Sequence, residues 1–279
     1  MTTILVPTDF SEIAAYAVEW AGWFSAQTSG RVIFLHAIEP PTVYSAGGES
    51  VYANADLEAK YLDYMQKLAA DKLTAISQKP AYKPFALKTY AAIGNLIPVI
   101  QDTIQKEQID LLISGTQGAK GWEETLLGSN TEKIVRYAQV PVLSVKQSPP
   151  KSIKHIVFTT NLRENQPEVV KVLKKYQTLF GAHLHILFVN TPVMFLTDRE
   201  IRKLKSEFMV EANFENCTFH HYSEVSEEDG ITAFCEDIHA DLLAIGTHQR
   251  SGITHWIAGS LAERLVNHAP LPVLTFGVK

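Results

Sequence analysis

The sequence predicts two consecutive α/β domains, each a doubly wound parallel sheet with helices on both faces, and three observations carry that prediction. Short apolar, β-branched runs alternate with stretches of helical periodicity. The order of those elements restarts after the middle of the chain. The length of 279 residues suits two domains of about 140 residues each better than one.

Within the first half, residues 3–6 read as a strand and residues 11–26 as a helix with Ser11 as its N-cap. Residues 31–38 form an almost unbroken apolar run of the kind buried on both faces of a parallel sheet. A Pro/Gly/Ser-rich connection at 39–50 leads into a long helical pattern that reaches Ser77. A third strand is expected at 85–90, a helix at 96–106, a fourth strand at 110–114, a helix from about Ser129 and a fifth strand at 140–145. This alternation of strand and helix predicts a parallel sheet.

Residues 147–152, Gln-Ser-Pro-Pro-Lys-Ser, read as a linker, giving domains at 1–147 and 153–279. The second half repeats the first. Asp110-Leu-Leu-Ile-Ser-Gly-Thr116 aligns with Asp241-Leu-Leu-Ala-Ile-Gly-Thr247, and residues 128–143 match residues 259–274 at a constant offset of 131. Val6-Pro-Thr-Asp9 likewise pairs with Phe158-Thr-Thr-Asn161. A whole domain has been duplicated.

Composition bounds the function. Apolar residues make up 46% and charged residues 20%, ordinary values for a globular chain, and the formal charge of −5 provides no positive field for nucleic acid. No basic segment followed by a long apolar run opens the sequence, so no signal peptide is expected, and no stretch is long enough to span a bilayer. Two cysteines, Cys217 and Cys235, cannot build a disulfide framework, and a reducing cytoplasm is the expected setting. Of the ten histidines, His183 and His185 share one strand face and the adjacent His220 and His221 point to opposite faces. None shows zinc spacing, and no metal site is expected.

The chemistry sits after the fourth strand, in Gly115-Thr-Gln-Gly118, nine further residues and then Gly128-Ser129. Glycines leave backbone N–H groups open to a phosphate, and the start of a helix offers free N–H groups and a favourable dipole. Ser129 could donate to a phosphate or merely cap the helix. Strand one ends at Asp9, and strands one and four flank the point where an order of 3-2-1-4-5 reverses, the place where open α/β sheets bind ligands. Asp9 could accept a hydrogen bond from a base or a ribose, or act as an N-cap for the helix that follows. No Walker loop, Gly-x-Ser-x-Gly elbow or nucleophile–base set is visible.

The glycine pattern, the opening Ile4-Leu-Val-Pro-Thr-Asp9, Leu35-His-Ala37 and the Val140-Pro-Val-Leu143 ending together resemble the universal stress protein family, in a tandem arrangement covering nearly the whole chain. The resemblance implies Rossmann-like (HUP-type) domains of five parallel strands in the order 3-2-1-4-5. It also implies an adenine nucleotide as ligand: ATP, ADP or AMP, with or without Mg. Asp9 and the backbone of Ala37 would meet the base, while Gly115, Gly118, Gly128, Ser129 and Asn130 would hold ribose and phosphates. It further implies an intrachain pseudo-dimer through antiparallel contact of strands 140–145 and 271–276, with further dimerisation and the identity of a protein partner left open. In the second half Asn161 replaces Asp9 and Gln249 replaces Gly118, so that site is read as degenerate, although Gly246, Gly259 and Ser260 remain. The reading is of a cytoplasmic nucleotide-binding regulatory protein rather than an enzyme. A slow ATP-hydrolysing or phosphoryl-transferring enzyme and a nucleotide-free scaffold stay open as alternatives.

Overall fold

Nineteen segments of regular structure were assigned in the computed structural model, which describes residues 2–40, 55–82, 85–116, 130–162, 167–248 and 256–278. The chain divides into two compact units, Met1–Gly115 with Ala138–Val140, and Thr116–Tyr137 with Pro141–Lys279.

The first unit contains β1 (Thr3–Pro7), α1 (Glu12–Thr28), β2 (Arg31–Ile38), α2 (Ala55–Ser77), a 3-10 turn at Pro80–Tyr82, β3 (Ala86–Ile93), α3 (Leu96–Glu107) and β4 (Leu111–Gly115). Its strands are parallel and lie in the order β3-β2-β1-β4. The connections β1–α1–β2 and β2–α2–β3 both move one way across the sheet, whereas β3–α3–β4 moves back. Right-handed crossovers therefore place α1 and α2 on one face and α3 on the other. This explains why β1 and most of β2 are apolar without alternation, since both faces are covered. Helix α1 docks Ala17, Trp20, Ala21 and Phe24, all almost fully buried, and each large side chain there contributes about 1.5–3 kcal/mol of transfer free energy. The helix begins where the Ser11 hydroxyl accepts the Ala14 N–H, and it ends at Ser29 in the left-handed conformation (φ 50°).

At the opposite end of this sheet Glu107, the last residue of α3, gathers three donors. Lys88 lies at 2.7 Å, Arg31 at 3.0 Å, and the Tyr90 hydroxyl also donates to it. The bonds from Lys88 and Tyr90 hold its carboxyl down at about 2. A depressed carboxyl stabilises the fold above its unfolded value, 4.5, and that contribution is lost as pH falls from 4.5 towards about 2. Glu107→Gln is therefore expected to lower Tm at neutral pH, with the difference from wild type closing in acid. A difference that stays constant across the pH range would refute this account.

The second unit contains α4 (Asn130–Tyr137), β5 (Val142–Val145), β6 (His155–Thr159), α5 (Pro167–Phe180), β7 (His183–Asn190), α6 (Asp198–Ala212), β8 (Cys217–Ser223), α7 (Glu227–Asp237), β9 (Leu242–His248), α8 (Trp256–His268) and β10 (Val273–Val278). The expected 3-2-1-4-5 order is complete here as β8-β7-β6-β9-β10, all parallel. Helix α6 carries a full capping box between Thr197 and Glu200. The terminal helix and strand of the first repeat, α4 and β5, fold within this unit.

Strand β5 pairs antiparallel with β10, the contact expected from the resemblance. Its register is Val142↔Thr275, Leu143↔Leu274 and Ser144↔Val273. The offset of 131 relates Val142 to Val273, Leu143 to Leu274 and Ser144 to Thr275, so the pairing exchanges equivalent positions about a pseudo-dyad between Leu143 and Leu274. The helices obey the same symmetry. Arg136 makes a two-pronged ion pair with Glu263 at 2.8 Å, and its counterpart Asn267 donates to Glu132, the counterpart of Glu263, at 2.6 Å. Reciprocal contacts of this kind mark an isologous interface, here written into one chain. Lys146, just after β5, departs from the symmetry: its ammonium donates to the carbonyls of Asn267 and Ala269 at the end of α8, and burial lowers it to about 8.

Candidate functional site

The β1–α1 turn lies at the carboxyl end of the first sheet, where β1 has β2 on one side and β4 on the other. Three short polar side chains in sequence build it. The Thr8 hydroxyl accepts the Phe10 N–H at 3.1 Å, an Asp9 carboxylate oxygen accepts the Ser11 N–H at 3.0 Å, and Ser11 caps α1. The Thr8 N–H donates to Leu35 O, which continues the ladder with β2 past the end of β1. His36 ties the turn to β2 from the side, because its Nδ1–H donates to Thr8 O at 2.7 Å. A carbonyl can only accept, so this bond fixes the tautomer. The Phe10 ring rests on the His36 ring at 4.6 Å, with the Lys72 ammonium 5.0 Å from the Phe10 ring centre.

These bonds force Phe10 to a φ of 66°, in the left-handed region that a bulky side chain rarely adopts. The same device recurs in the second unit. Thr160 donates its N–H to Leu187 O, its hydroxyl accepts the Leu162 N–H at 3.2 Å, and Leu162 has a φ of 61°. Strain of this kind persists only where surrounding bonds over-determine it, and it concentrates at ligand sites. Sequence reasoning singled out Asp9 and passed over Thr8, Phe10 and Lys72. The retained Thr8/Thr160 pair was the available signal, because the repeat keeps Thr while Asp9 becomes Asn161.

Of the residues expected to hold nucleotide, Asp9 is exposed in the turn and Ala37 lies half-buried on β2, opposite Ala92 of β3. Gly115 ends β4. Asn130 is the first residue of α4, in the second unit and exposed. Gly118, Gly128 and Ser129 lie outside the described residues, as does Gln249. The Asp9 carboxylate accepts the Ser11 N–H within the turn, and the N-cap of α1 is Ser11 rather than Asp9.

Gly115 has a packing reason of its own. A Cβ at this position would lie 2.3 Å from the carbonyl oxygen of Ile13 and 2.8 Å from its carbon, because the first turn of α1 runs against the end of β4. Backbone cannot yield as a flexible side chain can. Gly115→Ala is expected to destabilise the first unit by about 1–3 kcal/mol or more, measured by urea unfolding without nucleotide; an unchanged midpoint would refute the close approach.

Beside the turn, a cleft of about 300 Å³ runs between α1 and α2. Ala15, Val18, Ala75 and Ile76 give it an apolar lining, Phe10 and Tyr82 add rings, and Glu19, Lys72 and Lys79 add charge. Burial, and after it the carboxylate of Glu19, pushes the Tyr82 phenol above its ordinary value. Both hydroxyls of the turn, on Thr8 and Ser11, accept backbone N–H groups and hold the turn in place. Among the described residues, no group of three or more His, Cys, Asp or Glu is arranged to hold a metal ion, and no helix is long and apolar enough to cross a membrane.

Comparison with known proteins agrees with the duplication. The family model described as Universal stress protein family matches residues 1–146 and again residues 152–277. Universal stress protein Slr1230 of Synechocystis is 23% identical over 294 aligned residues, spanning 99% of this chain and 100% of that protein. Universal stress protein MJ0577 of Methanocaldococcus jannaschii is 28% identical over 152 residues, 52% of this chain and 94% of that protein. Among solved structures, a universal stress protein from Archaeoglobus fulgidus superimposes with a TM-score of 0.77 at 21% identity, covering 99% of this chain and 98% of the other. With two family matches that together take in nearly all of its residues, the chain belongs to the universal stress protein family, in tandem two-domain form.

Proposed function

We propose that this chain is a cytoplasmic regulatory protein that binds an adenine nucleotide (ATP, ADP or AMP, with or without Mg) through its first repeat, and that bound nucleotide alters its interaction with a protein partner. The observation that carries the proposal is the intact glycine pattern, Gly115, Gly118, Gly128 and Ser129, which follows β4, the strand beside β1 at the switch point of the sheet. Backbone N–H groups of a glycine-rich loop and of a helix start receive the phosphates, with Asn130 beside them. Asp9 and the Ala37 backbone meet the base at the carboxyl ends of β1 and β2. The pinned turn at Thr8–Ser11 supports this reading, since a preformed loop loses little entropy when a ligand arrives.

The second repeat lacks the acid at Asn161 and one glycine at Gln249, so the proposal assigns it no nucleotide. Acid extraction of purified protein followed by chromatography of the released nucleotide tests the function. The expected result is close to one adenine nucleotide per chain. Protein that carries none and shows no binding by calorimetry in millimolar nucleotide would overturn it.

A further inference from the structure

Four histidines converge at the amino-terminal ends of β6 and β7 and on β8, the opposite end of the strands from the switch point. His155 Nδ1 lies 3.0 Å from His185 Nε2, and His185 Nδ1 lies 3.0 Å from His220 Nε2, so one unbroken imidazole chain crosses three adjacent strands on a single face of the sheet. The fourth ring, His183, is 4.7 Å from His185 and spends its nitrogens on Asn216 Oδ1 (2.8 Å) and Thr218 Oγ1 (2.9 Å). Phe234 of α7 covers the chain, 4.8 Å from His220 and 6.3 Å from His185. We propose that this chain is an acid-responsive latch, which holds β8, the edge strand of the second unit, against β7 and β6 at neutral pH and releases it when the histidines take up protons.

Hydrogens can be counted along the imidazole chain. Each of the two N···N contacts needs one N–H and one lone pair. Three neutral rings satisfy both contacts in either of two tautomeric arrangements. One added proton is also accommodated: a charged His185 donates in both directions, and a charged His155 or His220 starts a relay that runs one way. A second proton is not. Two charged rings place N–H against N–H in at least one contact, or crowd two charges onto neighbouring imidazoles. Three free histidines would each gain a proton below about pH 6.5. Acid therefore pulls against the chain.

The surroundings offer the added charge little relief. Lys205 of α6 adds positive charge near His220, and His183 adds its own when protonated. On α7, Cys235 is a buried thiol pushed up to about 12, and Asp237 accepts from the Tyr222 hydroxyl at 3.2 Å. Asp241 is occupied by the backbone N–H groups of Lys154 and His155. Burial first, then the neighbouring rings, lowers His185 to about 4 and moves His220 downward as well. A histidine whose folded pKa is depressed binds protons more readily once released. The pairing is thus at full strength above about pH 6.5 and weakens as pH falls towards 4. His221 points to the other face, against Phe188, and takes no part.

Hydrogen exchange of the backbone amides of Cys217–Ser223, corrected for intrinsic rates, tests the latch in the full chain at about pH 7.5 and about pH 5. Wild-type protection of β8 is expected to fall on the order of tenfold between these conditions. His185→Phe, which fills the space with a ring that cannot titrate, should remove that fall; His220→Phe serves the same purpose if the first variant does not fold. Imidazole NMR of the wild type gives a reading that needs no variant, with His185 and His220 titrating well below the ordinary range. Equal pH dependence in wild type and variant would overturn the proposal, as would three imidazoles that titrate independently near their unperturbed value.

Discussion

Replacing Gly118 by Gln is expected to lower the affinity of the chain for adenine nucleotide by about 100-fold or more, without unfolding the protein. On the proposed reading the glycine pattern leaves backbone N–H groups clear, and a Gln side chain among them would compete with the phosphate. Charge-assisted hydrogen bonds of this type are each worth about 1.5–3 kcal/mol, so losing two corresponds to roughly two or more decades at ~1.4 kcal/mol per decade. The second repeat carries Gln249 at the position equivalent to Gly118. Calorimetry of the wild type should accordingly find one site per chain, and Gln249→Gly should recover measurable binding at the second. Two equal sites in the wild type, or unchanged affinity in Gly118→Gln, would defeat the assignment. Gly115→Ala is the informative contrast: its expected loss is in stability, because the first turn of α1 occupies the room its side chain would need.

The largest expected loss of stability outside the proposed site comes from the pseudo-dyad. Leu143 and Leu274 face each other across the β5–β10 pair, and each is only 1% exposed. Leu274→Ala should cost about 2–5 kcal/mol, the range for truncating a fully buried leucine. Leu274→Asp should cost more, because its carboxylate would be buried without a partner. Leu143→Ala should resemble Leu274→Ala, with the double variant losing less than the sum because the two truncations share one cavity. Arg136→Ala removes an ion pair whose arginine is half exposed, and belongs in the range of about 0–1 kcal/mol. Urea unfolding measures all five. If Leu274→Ala proved as mild as Arg136→Ala, the strand pair would not form as described.

Much of this protein can be read from local sequence. Helical and strand periodicities, a Ser11 cap and Gly/Pro punctuation are short-range signals, and β2 and the start of α3 follow them to the residue. The duplication is equally legible, and its constant offset carries the symmetry of the β5–β10 contact, because an isologous interface reuses one surface. The intact and altered glycine patterns belong to the sequence as well. Tertiary structure alone decided the rest. Gly115 looks like a phosphate glycine in sequence, yet only the approach of α1 to β4 shows that Ile13 backbone fills the place of its Cβ. The Thr8 turn strains Phe10 through bonds that reach across to β2. His155, His185 and His220 have no common spacing, and the register of three parallel strands makes them one chain. Periodicity records which face a residue occupies, whereas register and approach distance are set by the packing of elements far apart along the chain.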